Sequence, residues 1–554
     1  MAKQYFGRTE PRLWTRPLRE LTPETSLGFE VIEFALVVMG IDLYPWQKWL
    51  LIHALELLDN GEYRFRRVIV LVGRQNGKTT LASVLAAWWL FVDSARRPDR
   101  VPPLKFKVVG VAQNLDIARE PWNAVKQWCD PEPDTAEEAQ LALPDLQDAT
   151  AKVVDTNGAL AIIARSRAHY EIRAAKNARG KPAARVLMDE MREQRDWVAW
   201  NAVSQTTKSF WNGMLIGFSN AGDAGSVVLR RQRNVALEDL RAAGFDFPDY
   251  VEKGIESAEA HANSELEDLG EDDVSLGLFE WSATPGCAKN DINEILQSNP
   301  SIGYGSMTVG TCLADIRGMT DAGYRTEVLC QWVLALVDAY IDVKEWTPRH
   351  VAPHQVHVPR GARTVWAVDT SANRAMTWIA AAVFTQNGAP FVTVRTKRAG
   401  MLWVEDYLIE LAEASGNPEV VIQARGGAAM DLVEPLRKRG LTVHALEGAQ
   451  VASATGRIRD RIRDEDLVLV EQPDVDLAVE GAVTVKFGDN DAWARQKSWP
   501  IDIAGLVAES FALYGLELLE PPEPDPIPTS LPAPQIDRGD DSYSSEANLA
   551  TAHF

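Results

Sequence analysis

Cysteine is scarce: four in 554 residues, at Cys129, Cys287, Cys312 and Cys330, with no C-x-x-C spacing. That excludes a disulfide framework and a thiolate zinc site, and fits reduced thiols in a cytosolic protein. No uncharged run reaches the ~18 residues that a membrane span needs, so no membrane crossing is expected. The opening MAKQYFGRTEPRLW has no apolar signal core. Basic charge is also short: 57 Lys and Arg face 78 Asp and Glu, a net charge of −21. This does not exclude a nucleic-acid partner, because net charge is silent on local patches and many of the acids sit in two stretches, 252–273 and the C-terminal tail. There is no internal repeat. Hydrophobic content of 46 % is ordinary for a globular chain, and the length calls for more than one domain.

What is present is organised around residues 68–91. The apolar run Val68-Ile69-Val70-Leu71-Val72 predicts a buried strand. Gly73-Arg74-Gln75-Asn76-Gly77 is a sharp turn, and Lys78-Thr79-Thr80 opens an apolar helix. Strand, glycine turn and helix starting at Lys-Thr make a phosphate-cradling loop. Backbone N–H groups and the helix dipole are expected to face the phosphates, Lys78 to add a charge, and the Thr79 hydroxyl to ligate Mg²⁺. The spacing departs from G-x-x-x-x-G-K-[ST]: the first glycine stands at Gly73, not at Val72.

Upstream, Pro45 starts a helix that puts Gln47 in its first turn, either to read an adenine edge or as a polar residue beside aromatic core. Downstream, residues 106–112 read as a strand, 114–128 as a helix, and 153–164 as a hairpin around Asn157-Gly158. The basic loop 172–181 leads into Val186-Leu187-Met188-Asp189-Glu190, a strand ending in two acids. Asp189 is the expected metal-shell residue, and Glu190 is expected to polarise the attacking water. The strand 213–218 ends at Ser219-Asn220-Ala221-Gly222, a γ-phosphate sensor or a plain turn. The acid-dense 252–273 reads as a solvated face.

From residue 364 the pattern alternates. Strands are expected at 364–369, 377–384, 390–396, 420–422 and 442–445, with helices at 401–414 and 428–439 and a helix opening at 502–508. Acids at Asp369 and Asp502 suggest a ribonuclease-H-like sheet whose carboxylates converge on two Mg²⁺ (or Mn²⁺) about 4 Å apart. Asp502 is equally suited to cap a helix. The tail is Pro-rich, then Asp/Ser-rich, and reads as disordered.

Several local patterns carry a family resemblance: Tyr44-Pro45-Trp46-Gln47, the loop from Gly73 to Thr79, Arg179-Gly180 ahead of Asp189-Glu190, Asn299-Pro300, and Gly488-Asp489-Asn490-Asp491-Ala492-Trp493-Ala494-Arg495 leading to Asp502. The chain resembles the large terminase subunit of HK97-like tailed double-stranded DNA phages, over about residues 40–515. The displaced glycine resembles that family's Gly-Arg-Gln loop. The resemblance implies an α/β chain in four parts. Residues 1–225 would be a P-loop, ASCE-type ATPase with an adenine-side segment, 226–350 a helical lid and linker, 351–518 a ribonuclease-H-like nuclease, and 519–554 a disordered tail.

It further implies a packaging motor. A homo-oligomeric ring, a pentamer, would work on the portal protein of the procapsid with a small terminase subunit and double-stranded DNA, in the host cytoplasm and outside the mature virion. Gln47, Gly73, Arg74, Gln75, Asn76, Gly77, Lys78, Thr79, Thr80 and Asp189 would bind Mg²⁺–ATP and Glu190 would activate water. Arg179 would reach a neighbouring subunit as an arginine finger, with Arg74 the competing candidate. Asp369 and Asp502 would hold the nuclease metals.

One departure stands out. Where the family carries a second nuclease acid, this chain has Gln423, a neutral and weaker ligand for a hard cation. Asp431, or Asp489 and Asp491, are candidate substitutes. The alternative is a translocase whose C-terminal domain grips DNA without cutting it. A P-loop enzyme acting on a small molecule leaves the second acidic module unexplained. Arg457, Arg459, Arg461 and Arg463 are candidates for a DNA-facing stripe, or for a solvated helix face.

Overall fold

The computed structural model describes residues 4–156, 159–174, 181–195, 197–223, 225–247, 275–333, 339–416, 419–498 and 501–519. Arg179, the Asn157-Gly158 turn, the acidic stretch 252–273 and the tail from 520 lie outside the described residues. Two compact units divide between 333 and 339.

The first unit is built on a nine-stranded sheet. In chain order its strands are β1 (Leu13–Trp14), β2 (Arg67–Leu71), β3 (Lys107–Ala112), β4 (Thr150–Thr156), β5 (Ala159–Ala164), β6 (His169–Ala174), β7 (Arg185–Met188), β8 (Met214–Ser219) and β9 (Leu276–Glu280). The spatial order is β1-β9-β2-β8-β7-β3-β6-β5-β4. The run from β9 to β6 is parallel throughout, and the pairs at the two edges are antiparallel. Its strands are continuous apolar runs because helices cover both faces. The helix Lys78–Phe91 is apolar all round and fully enclosed from Leu81 to Leu90, with Trp88 and Trp89 at its centre.

The reading of 226–350 as a helical lid and linker needs correction. Within it, β9 lies in the first sheet beside β2, and the helix Val227–Ala242 packs into the core of that sheet. Among the described residues, the helices Ile292–Ser298, Val309–Gly318 and Asp321–Glu327 form a separate small core, around Tyr324 and Leu329. A short apolar strand between polar stretches carries too little periodicity to be told from a helix segment.

The second unit holds β10 (Thr364–Thr370), β11 (Met376–Phe384), β12 (Pro390–Ala399), β13 (Glu419–Gln423) and β14 (Thr442–Leu446), in the order β12-β11-β10-β13-β14. The first three are antiparallel, and β10, β13 and β14 are parallel. This is the ribonuclease-H-like arrangement expected from the alternating pattern. A separate hairpin, β15 (Thr484–Phe487) with β16 (Asn490–Trp493), precedes the helix Ala504–Leu518. That helix packs on β10 and β11 and lies close to them because two of its positions lack a side chain. A Cβ at Gly505 would meet the Trp378 ring at 2.9 Å, and one at Gly515 would meet Val421 at 2.5 Å.

Buried in the same helix is Glu509, 2 % exposed. Its Oε2 has no hydrogen-bond partner among the described residues. Burial, with Asp476 as a like charge nearby, pushes its carboxyl up to about 8 from an ordinary value of 4.5. A carboxyl raised in the folded state keeps a proton that the unfolded chain has released. Its stabilising effect is therefore complete below pH 4.5 and is lost as pH rises towards 8. Glu509→Gln is expected to flatten this slope, which cannot exceed about 1.4 kcal/mol per pH unit. Urea unfolding at pH 5 and pH 8 tests it: equal pH dependence in both proteins would refute the assignment.

Candidate functional site

The carboxyl ends of β2 and β7 form the first centre. One strand, β8, separates them, the ASCE arrangement, and in open α/β sheets ligands sit at this edge. Gly77 caps the helix in the left-handed region at φ 83°, a conformation glycine adopts freely. Gln75 shares that region at φ 57°. The one-residue displacement of the first glycine has a packing cause. A Cβ at Gly73 would meet Asn299 Oδ1 at 2.8 Å and the carbonyl oxygens of Ser298 and Val328 at 3.1 Å. The segment 298–301 is thus pressed against the loop at the residue that must stay bare.

Asn76 completes this contact. Its Nδ2 donates to Gly73 O (3.0 Å), Arg74 O (3.1 Å) and Asn299 Oδ1 (3.1 Å), and its Oδ1 accepts from Ser301 N (3.1 Å). Fully buried, Asn76 braces the loop, and Gly73 N and Arg74 N donate to Ser298 O (3.3 Å) and Glu327 O (2.8 Å). Gln47 is a second brace: its Oε1 accepts from Tyr44 N (2.8 Å) and its Nε2 donates to Gly77 O (3.0 Å). Both ends of its amide are engaged, so reading a base would require giving up one of these bonds. A cleft lined by Asp42, Tyr44, Gln75, Thr80 and Met307 opens beside it.

Lys78 Nζ donates to Val72 O (3.0 Å) and Gly73 O (3.2 Å). Burial lowers its pKa, opposed by Asp189 and Glu190 among others. Thr79 follows in the first helical turn, half-buried, and Thr80 is exposed. Asp189 Oδ1 accepts from Glu190 N (2.9 Å), and burial raises its carboxyl against the pull of that N–H and of Lys78. A hydroxyl and a carboxylate are the hard oxygen donors that a Mg²⁺ arriving with phosphate and water requires. Glu190 lies in the left-handed region at φ 51°. In a residue with a Cβ that costs of order 1–3 kcal/mol, and such strain gathers at functional sites.

Two residues of this centre escaped the sequence reading. Arg192 Nε donates to Glu190 Oε2 (3.2 Å) and its Nη1 donates to Glu327 Oε1 (2.7 Å). Glu327 also pairs with Arg74 Nε (3.2 Å) and accepts from Asn220 Nδ2 (3.1 Å). The loop arginine, the residue beside the candidate base and the candidate sensor thus share one carboxylate. Glu327 stands 137 positions after Glu190, with no local pattern to link them.

The second centre lies at the carboxyl end of β10. Asp369, fully buried, pairs across β11 with Trp378. Val368 pairs with Ile422, which brings Gln423 alongside. Asp502 precedes its helix, with Oδ1 accepting from Ala504 N (3.0 Å) and Oδ2 from Trp378 Nε1 (2.8 Å). Burial raises both carboxyls. The structure brings Asp369, Gln423 and Asp502 together, and adds Arg495. Its Nε and Nη2 each donate to one oxygen of Asp369 at 2.7 Å, and Nη2 also reaches Gln423 Oε1 (3.0 Å).

Two acids, one of them paired with a guanidinium, supply too little negative charge for two Mg²⁺. Every oxygen of Asp369 and Asp502 already accepts a protein hydrogen bond. Of the candidate substitutes, Asp431 pairs with exposed Arg374 (2.6 Å) and Asp491 with Lys486 on the hairpin (3.1 Å). Among the described residues no group of three or more His, Cys, Asp or Glu could hold a metal. The four arginines that are candidates for a DNA-facing stripe or a solvated helix face each have a partner. Arg457 and Arg461 pair with Glu517, Arg459 lies over Tyr340, and Arg463 pairs with Asp460 and Asp464.

No protein-family model matches the chain, and no curated protein matches it. Among solved structures it is similar to the large terminase of bacteriophage HK97, at 16 % identity over 88 % of this chain and 100 % of that one, with a TM-score of 0.47. It is similar to the large terminase of a thermophilic bacteriophage in complex with ATP-gamma-S, at 11 % identity over 82 % and 95 % of the two chains, with a TM-score of 0.28. The large terminase ATPase domain of Thermus phage P74-26 covers 54 % of this chain and 97 % of its own, at 16 % identity and a TM-score of 0.33.

Proposed function

We propose that this chain is the ATP-hydrolysing subunit of a phage DNA-packaging motor, a large terminase. The observation that carries the nucleotide half is the meeting of the Lys78 loop with Asp189 and Glu190 at one sheet edge. Mg²⁺–ATP, when bound, supplies the electrophilic γ-phosphate and neutralises its charge. Thr79 and Asp189 hold the ion, and Lys78 with the N–H groups of the loop cradles the phosphates. Glu190 accepts a proton from the attacking water. Arg179 serves as the finger offered to a neighbouring subunit of a ring on the portal. Arg74 is the less suited candidate, because Glu327 holds it. That shared carboxylate makes 321–327 the natural relay from the phosphate end of the nucleotide to the rest of the unit.

The second unit engages the double-stranded DNA, as an endonuclease in one reading and as a gripping module in the other. The pairing of Asp369 with Arg495 favours the gripping module. ATP hydrolysis by the full chain, measured with and without linear double-stranded DNA, tests the motor. Stimulation of several-fold by DNA, absent in Lys78→Ala, is expected. Hydrolysis indifferent to DNA would overturn it.

A further inference from the structure

We infer that Arg495 is the resident cation of the second carboxylate centre, and that it closes this centre to divalent metals. The inference rests on reading the second unit as a gripping module, and explains in one residue why that unit would not cut.

A two-metal site needs carboxylate oxygens left open, and enough negative charge to balance two divalent ions. Here the fork of Arg495 takes both oxygens of Asp369 at 2.7 Å, the bidentate geometry in which guanidinium and carboxylate bind most strongly. The pair is out of water: the Asp369 side chain is 0 % exposed and that of Arg495 is 12 % exposed. Gln423 is oriented to suit the arginine. Its Nε2 donates to Arg425 O at 2.6 Å, which turns Oε1 toward Arg495. A carboxylate at 423 would add a negative charge to share; the amide adds none. With Asp369 and Asp502 as the acids and Arg495 as the base, the centre carries one net negative charge, far from the balance two divalent ions need.

Arg495 is also delivered firmly. It opens the short helix Arg495–Ser498 directly after β16. Trp493, at the end of β16, is anchored by Nε1 to Ser510 Oγ (3.0 Å) and by its backbone N to Thr455 Oγ1 (3.3 Å). The hairpin thus places the fork on Asp369. The cleft in front, lined by Thr370, Gly427, Trp493, Arg495 and Lys497, keeps a cationic wall suited to a phosphate backbone.

Mn²⁺ binding to the nucleotide-free full chain, followed by the electron paramagnetic resonance signal of free Mn²⁺, is the test. Wild type and Asp369→Asn are expected to give the same isotherm, because Asp369 is not a metal ligand. The double variant Gln423→Asp with Arg495→Ala is expected to gain a Mn²⁺ site at least tenfold tighter than anything in wild type. Loss of a bound Mn²⁺ on Asp369→Asn would overturn the inference. So would a folded double variant that gains none. Should the double variant fail to fold, the first comparison still decides. DNA-stimulated ATP hydrolysis by the wild-type preparation is read alongside, so that failure of the motor reading is seen separately.

Discussion

Glu190→Gln is expected to lower the turnover of ATP by roughly 10²–10⁴-fold, the usual worth of a positioned general base, and to leave nucleotide affinity within a few-fold. The two effects separate because the groups that bind and the group that reacts are different. Binding rests on the loop backbone, on Lys78 and on the helix N-terminus, whereas the Glu190 side chain bonds to Arg192. Gln keeps the size of Glu and can still accept the Arg192 Nε hydrogen bond seen at 3.2 Å, so the left-handed turn at 190 need not reorganise. What disappears is the basicity of the carboxylate. Lys78→Ala should differ in kind, weakening binding as well as rate. Single-turnover hydrolysis paired with equilibrium binding of a fluorescent ATP analogue distinguishes them. A Glu190→Gln enzyme that turns over within tenfold of wild type would move the base elsewhere, and a parallel loss of affinity would make Glu190 structural.

The parts legible in the sequence are those in which chemistry follows local order. The loop from Gly73 to Thr80 and the acids Asp189 and Glu190 each sit at the end of one apolar run, and a buried parallel strand can hardly be written otherwise. The second sheet was equally readable, down to Asp369 in β10 and Gln423 in β13, because each element there alternates cleanly with the next. Contacts made at a distance were not. Asn299 and Ser301 reach the loop across more than 220 positions, so the bare Gly73 looked like an irregular motif when it is a packing requirement. Arg495 ends the Gly488–Arg495 pattern, yet a string of residues does not say that its side chain turns onto Asp369. Gln423 carried the one usable hint, since an amide in an acid's place implies that something else has changed nearby. The stretch 226–350 misled because β9 is short and flanked by polar residues, while its partner β2 lies some 200 positions earlier.

Asp93→Ala is expected to destabilise the first unit by about 3–5 kcal/mol, the cost of leaving a buried charge without its partner. Asp93 Oδ2 accepts from Arg185 Nε (3.0 Å) and Nη2 (2.7 Å), and both side chains are 4 % exposed. Arg185 also donates to Asn212 O at 2.6 Å and lies over the rings of Tyr63 and Phe106, so it cannot swing out to water. Arg185 is the first residue of β7, the strand that ends in Asp189 and Glu190. Loss of the pair should therefore loosen the edge that carries Asp189 and Glu190 together with the fold. The double variant Asp93→Leu with Arg185→Met is the informative control. Replacing a buried ion pair by apolar residues of similar size is often neutral, or stabilising by about 1–4 kcal/mol. Stability recovered by the double variant would show that the single loss came from an orphaned guanidinium. Equal instability in both would mean that any relief from removing the orphaned guanidinium is cancelled by the Asn212 carbonyl contact and the aromatic stack, which only the double variant gives up. Urea denaturation followed by tryptophan fluorescence reads either result, since Trp88 and Trp89 lie fully buried in the same core.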